Sequence, residues 1–231
     1  MRLSLLEKLL TARAEGRPVA LVTDLATGLQ TLVHEKVIEG DFGVTAEESE
    51  AIADLLATEG SALVGDSHFV QSFTPSPRLV LVGAVHIAQA VIPMAQALGY
   101  AVTVIDPRQA FATPERFPGI ALSTDWPDEA LDALKPDSRT AIVTLTHDPK
   151  LDDPALTAAL KSDAFYIGAL GSRKTHASRL QRLTELGFTN ADLQRIQGPV
   201  GLAIGAKTQA EIALSILAQI TAMRRLGKAS L

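Results

Sequence analysis

Residues Arg78 to Arg108, RLVLVGAVHIAQAVIPMAQALGYAVTVIDPR, constrain the fold of this chain more than any other stretch. Leu79, Val80, Leu81 and Val82 form a short apolar run of the kind that makes a strand buried on both faces. Gly83 interrupts it. Ile87, Ala90, Val91, Met94, Ala95 and Leu98 then repeat near the i, i+3, i+4, i+7 spacing of a helix with one buried face, and Gly99 is placed to close that helix in the left-handed conformation. A second buried run, Ala101 to Ile105, ends in Asp106. Strand, glycine turn, helix and strand within roughly 30 residues make a βαβ unit. In a doubly wound sheet a ligand sits outside the carboxyl ends of such strands, with phosphate on the helix N-terminus.

The same stretch tests dinucleotide binding. Asp106 follows Gly83 by 23 positions, near the ~20 expected of a carboxylate that bonds a ribose hydroxyl. The glycines fit less well. The pattern G-x-G-x-x-G/A meets Gly83-Ala84-Val85-His86-Ile87-Ala88, so the first Gly and the last small residue are present, but Val85 stands where backbone must approach a pyrophosphate. The architecture expected is therefore α/β, a Rossmann-like parallel sheet with helices on both faces, with NAD(P) kept as an alternative ligand.

Upstream, residues 1–14 have helical periodicity, 18–23 and 29–34 a hairpin, and 39–41 a loop. Thr45 with Glu48 has the capping-box signature of a helix running to about Thr58. Residues 61–73 hold one or two short strands. Thr74-Pro75-Ser76-Pro77 is the clearest boundary, giving a small N-terminal α+β module over 1–76 and the Rossmann-like domain over 77–231. Downstream, strands are expected at 120–123, 140–146 and 164–169, helices at 127–134, 154–161 and from the second glycine turn to Leu186, a helical turn at 191–196, a short apolar segment at 201–205, and a closing amphipathic helix at 208–225. The closing helix either covers the sheet or pairs with a second copy, so a homodimer is carried as a partner. With 47% hydrophobic and 20% charged residues the chain has material for a sizeable core. Its net charge of −5 argues against a nucleic-acid footprint. The absence of cysteine rules out disulfides, thiolate metal sites and persulfide carriage by this chain. No apolar run reaches membrane-spanning length and no signal-peptide core is visible, so no membrane partner and a cytoplasmic location are expected.

Four loops follow expected strands and should gather at one sheet edge. In the first, Gly83, Ala84 and His86 open a helix, where His86 is either a phosphate donor beside free N–H groups or a surface histidine. In the second, Asp106 and Arg108 are either a sugar-binding acid with an anion-binding cation or a local salt bridge. In the third, His147 lies among Asp148, Asp152 and Asp153. This is either a ligand contact or a polar loop in which Asp153 caps a helix begun by Pro154; no metal site is assigned. In the fourth, Gly168, Gly171, Ser172, Arg173 and Lys174 form a glycine turn whose basic residues oppose the helix dipole, which points to a bound anion. No nucleophile triad is present, and Ser172 lacks the G-x-S-x-G context, so no catalytic residue is assigned.

Taken together, Asp106-Pro107-Arg108 with Phe111, Ala112, Arg116, Phe117 and Pro118, then Thr146-His147 with Asp153, then YIGALGSRKT (Tyr166 to Thr175), and then PVGLAIGAKTQAEIALSI (Pro199 to Ile216) resemble the XdhC/CoxI family, accessory proteins of molybdenum hydroxylases such as xanthine dehydrogenase. The resemblance is dense over 77–220. It implies a Rossmann-type C-terminal domain that binds molybdenum cofactor, protects it, supports its sulfuration by a cysteine desulfurase and passes it to the apo molybdenum hydroxylase. Two departures stand out. The family's G-A-G-H turn is Gly83-Ala84-Val85-His86 here, and the N-terminal module reads as a short form without the Gly/Ser-rich segment of longer members.

A binding and delivery protein for molybdenum cofactor needs no nucleophile and no cysteine, and its pterin phosphate would sit on Gly83–His86 or Gly171–Lys174. The alternatives are an NAD(P)-dependent oxidoreductase and a module that only docks on a hydroxylase. If the glycine turn is a damaged dinucleotide site, Val85→Gly should strengthen NAD binding in a direct titration; an unchanged titration counts against the oxidoreductase.

Overall fold

The computed structural model describes residues 2–34 and 37–227. Met1, part of the expected opening helix, lies outside them. The chain divides into two compact units, Met1–Pro75 and Ser76–Leu231.

The first unit is an antiparallel sheet with one helix on each face. Its elements are α1 (Leu3–Ala14), β1 (Val19–Asp24), β2 (Gln30–His34), β3 (Val37–Gly40), α2 (Ala46–Thr58), β4 (Ser61–Val64) and β5 (His68–Phe73), with strand order β3-β2-β1-β5-β4. Alternation along β1 sends Val19 and Leu21 to one face, under Leu5, Leu9 and Ala12 of α1. It sends Ala20 and Val22 to the other, under Ile52 of α2. Thr45 and Glu48 form the expected capping box. The segment 61–73 is two strands of a hairpin. The expected loop at 39–41 is in part strand: β3 pairs Ile38 with Val33 and Glu39 with Leu32, because cross-strand hydrogen bonds can recruit a polar segment that has no apolar alternation of its own.

The second unit is a six-stranded parallel sheet. It comprises β6 (Arg78–Val82), α3 (His86–Ala97), β7 (Ala101–Ile105), β8 (Ala121–Ser123), α4 (Pro127–Leu134), β9 (Thr140–Thr144), α5 (Pro149–Lys161), β10 (Tyr166–Ala169), α6 (Arg173–Glu185), α7 (Asn190–Leu193), β11 (Ile196–Gln197) and α8 (Gln209–Leu226). The strand order is β11-β10-β9-β6-β7-β8. This is the Rossmann order, two halves running outward from β6 and β9. Leu79 and Leu81 point to a face covered by Val91, Ile92 and Ala95 of α3 and Ile216, Leu217 and Ile220 of α8. Val80 and Val82 point to a face covered by Ala130 and Leu131 of α4, Ala155 and Leu156 of α5 and Leu183 of α6. Each such side chain contributes about 1.5–3 kcal/mol on full burial. The apolar stripe of α8 is thus consumed inside the unit.

Two expectations are corrected here. The helix expected from Pro154 begins at Pro149, with the Asp148 side chain accepting from Lys150 N at 3.0 Å. Asp153 therefore lies inside the helix and does not cap it, and Pro154 is accommodated in the helix interior. The helical turn at 191–196 is the short α7 followed by β11, whose Ile196 pairs with Ile167. The apolar segment 201–205 forms no regular element.

Gly168 lies within β10, paired with Val143 and Gln197. A Cβ there would stand 2.6 Å from Val200 Cγ2 and 2.8 Å from Tyr166 Cε1. It is a packing glycine, not part of an anion loop. Gly168→Ala should lower stability by about 1–3 kcal/mol, read as a lower urea midpoint. Gly43→Ala, whose Cβ meets open space, should leave the midpoint nearly unchanged.

Candidate functional site at the switch point of the parallel sheet

The chain leaves β6 and β9 toward opposite sides of the sheet, which opens a crevice at their carboxyl ends. Gly83 turns away from β6 at φ +115°, and a Cβ on it would lie 2.6 Å from Thr146 Cγ2. Only glycine allows both that conformation and that approach. The turn is held from the β7 side. Gly83 N donates to Ile105 O at 2.8 Å, and Ala84 N donates to Asp106 Oδ2 at 2.8 Å. Asp106 is fully buried. Its Oδ1 accepts from Arg108 N at 3.0 Å and Arg108 Nε at 2.9 Å, and its Oδ2 also accepts from Arg108 Nη2 at 2.8 Å. Burial alone would raise the Asp106 pKa; the Arg108 guanidinium and the two amides outweigh it and hold the carboxyl below its usual range.

Arg108 lies over the Phe111 ring at 4.6 Å. Arg116 donates to Ala84 O at 2.9 Å and to Phe111 O at 2.7 Å. Both polar backbone groups of Ala84 are therefore satisfied by side chains of this chain. A carboxylate has about four lone-pair positions, and Asp106 has filled them. Of its two readings, the local salt bridge is present, with Arg108 Nη2 2.8 Å from Asp106 Oδ2.

Across the crevice a second buried network joins β9, α5 and α6. Thr146 Oγ1 donates to Asp152 Oδ1 at 2.5 Å. Arg179 Nη2 donates to Asp152 Oδ2 at 3.2 Å and to Leu170 O at 2.9 Å. Asp152 is 2% exposed and Arg179 1%. Burial drives the Asp152 pKa up, and Thr146 and Arg179 offset this only in part. Asp153, the acid singled out in the sequence motif, instead pairs with Arg182 on the flank of α6 at 2.5 Å. An open pocket of about 260 Å³ lies between α5 and α6, lined by His147, Asp152, Lys174, Thr175, Ser178 and Arg179 among others.

The expected site residues thus fall into groups. Gly83, Ala84, Asp106 and Arg108 form one hydrogen-bonded cluster. His147 and Lys174 border the pocket. His86, Ser172 and Arg173 are exposed at helix starts, where Ser172 Oγ caps α6 by accepting from Thr175 N at 3.1 Å. Gly171 turns into α6 at φ +144°. The sequence reading missed Arg179, although it shares a helical stripe with Leu183, the other buried residue of α6. A cation on a buried stripe requires an acid partner. Among the described residues, no group of three or more His, Asp and Glu is arranged to hold a metal ion, and no helix is long and apolar enough to cross a membrane.

The two buried acids give opposite pH dependences. Asp106, depressed below its ordinary 3.8, contributes stability that is fully present above that value and lost as pH falls below it. Asp152, raised above 3.8, makes the fold gain stability as pH falls toward that value. The urea midpoint of Asp106→Asn should therefore fall less steeply than wild type below pH 3.8, and equal slopes would show that Asp106 is not held ionised.

Residues 79–220 match the XdhC Rossmann domain. Over 156 residues, 68% of this chain and 43% of the relative, the sequence is 35% identical to an Escherichia coli protein named molybdenum cofactor insertion chaperone PaoD. It is 33% identical over 158 residues, 68% of this chain and 46% of the relative, to a Bacillus subtilis protein named as a probable subunit of xanthine dehydrogenase. It is 32% identical over 220 residues, 90% of this chain and 39% of the relative, to the uncharacterised E. coli protein YqeB. The chain spans less than half the length of these relatives. A Bacillus halodurans crystal structure described as a xanthine dehydrogenase shares the fold, with TM-score 0.76 at 23% identity over 99% of this chain and 66% of that one. The βαβ unit, the Rossmann strand order and the match over 79–220 together make this chain a member of the XdhC family.

Proposed function

We propose that this chain is an accessory protein of a molybdenum hydroxylase of the xanthine dehydrogenase type: it binds molybdenum cofactor as cargo and assists its maturation and insertion into the apo-enzyme. The observation that carries the reading is the 35% identity, over 68% of the chain, with a relative named as a molybdenum cofactor insertion chaperone. The switch-point chemistry is compatible with such a role. The start of α3 at His86 and the start of α6 at Arg173 and Lys174 offer helix N-termini and cations to a phosphate. His147 offers a polar contact to a pterin edge. With no cysteine in the chain, sulfur for the cofactor would come from a partner such as a cysteine desulfurase, and the chain's own part is to bind and shield.

The competing oxidoreductase reading is weakened by two features. Val85 stands where the dinucleotide pattern has its second glycine, and Asp106 already accepts from Ala84 and Arg108. Titrating the purified chain with molybdenum cofactor, and with NAD(H) in parallel, tests the proposal. Micromolar or tighter cofactor binding without NAD(H) binding is the expected result. NAD(H) binding alone would restore the oxidoreductase, and binding of neither would leave a docking module.

A further inference from the structure

The connection from β7 to β8 has residues 106–120 in place of a crossover helix. Parallel strands are usually joined through a helix, and connections longer than ~12 residues with no secondary structure are uncommon and, when ordered, usually functional. This one is tied down. Ala112 and Phe117 are buried in the core, and Gln89 Nε2 of α3 donates to Arg116 O at 3.2 Å. The connection leaves the carboxyl end of β7, beside the crevice, where open α/β sheets bind ligands. There it holds two arginines against one ring. Arg108 lies 4.6 Å and Arg116 5.7 Å from the centre of Phe111, which is 43% exposed. Each guanidinium is fixed along part of its edge only. Arg108 gives Nε and Nη2 to Asp106, and Arg116 gives Nη1 to the carbonyls of Ala84 and Phe111. Arg108 Nη1 and Arg116 Nε and Nη2 make no hydrogen bond among the described residues, and none of the three is shut off from solvent. Arg116 has no carboxylate partner among those residues.

We propose that Arg108 and Arg116 form an oxyanion clamp for a phosphate or diphosphate group that enters the crevice from the β7 side. Guanidinium edges match phosphate oxygens in pairs and make the strong, charge-assisted class of hydrogen bond. Here both edges are already immobilised, by Asp106 and by backbone carbonyls, so little side-chain freedom is lost on binding. Phe111 supports both arginines and adds no polar contact. A phosphate monoester and a diphosphate present the same oxygens to such a clamp. That the group belongs to molybdenum cofactor rests on the proposed function; the clamp itself does not.

The test titrates the full chain with phenyl phosphate and with inorganic pyrophosphate, and then with molybdenum cofactor, read by calorimetry and by the arginine Nε–H resonances in NMR. Saturable binding of either probe that moves the Arg116 Nε–H resonance, and that weakens roughly tenfold or more in Arg116→Lys, supports the clamp. The tighter probe tells a monoester from a diphosphate. Arg116→Lys keeps the charge and loses the paired edge; the wild-type resonance keeps the test valid if that variant does not fold. A purely structural Arg116 leaves its resonance unmoved by either probe. No saturable binding, binding that leaves the Arg116 resonance in place, or binding lost in Lys174→Ala but kept in Arg116→Lys overturns the clamp. Probe binding at the clamp without cofactor binding removes the cargo reading and leaves the clamp. Cofactor binding that leaves the Arg116 resonance unmoved removes the clamp and leaves the cargo reading.

Discussion

The carboxylate of Asp106 holds the crevice together. Placed at the end of β7 and fully buried, it takes the amide of Ala84 and three donors from Arg108. It thereby fixes the turn by which the chain leaves β6 and enters α3. Arg116 secures the carbonyl of the same residue from the other side. The geometry of Gly83 against Thr146 and the start of α3 follow from this tie. So does the position of Arg108, whose guanidinium also feels the field of Asp148 and Asp152. In a dinucleotide-binding Rossmann domain an acid at this position faces a ribose. Here the acid at that position holds the protein's own backbone at Ala84 and the Arg108 guanidinium.

On the other side of the switch point the constraint is electrostatic. A buried arginine–aspartate pair gains little over apolar packing, but removing one partner typically costs about 3–5 kcal/mol. Arg179 and Asp152 thus lock α6 to α5 and to the end of β9 through Thr146. The pair is asymmetric. Asp152 has its hydrogen bonds, whereas Arg179 keeps donors in reserve, and a helix face rich in cations and hydroxyls lies beside it.

Much of this was legible in the residues. Apolar runs of five or so with glycine turns between them located β6, α3, β7, β9 and β10, and capping chemistry located α2. What escaped was set by partners distant in sequence. β3 and β11 have too little apolar pattern of their own and exist because β2 and β10 offer hydrogen bonds. The start of α5 at Pro149 depended on Asp148 closing the first turn, a choice that local sequence left open between two prolines. Gly168 read as a loop glycine because it precedes Gly171 in a small-residue run. Val200 and Tyr166, filling the space of its absent side chain, are what make it a strand residue.

The sequence by itself determined the class of fold, the family, and which four loops would meet at one edge, because hydrophobic periodicity and parallel connection rules act on short stretches and are written in them. Only the tertiary structure decided how the polar residues at that edge divide their labour. Which backbone group Asp106 holds, whether Asp152 or Asp153 is the buried acid, and which carbonyl and carboxylate Arg179 takes are matters of pairing between elements 20 to 30 positions apart. Burial sets the outcome of such pairings, since a charge withdrawn from water takes whatever partner the packed elements bring within reach.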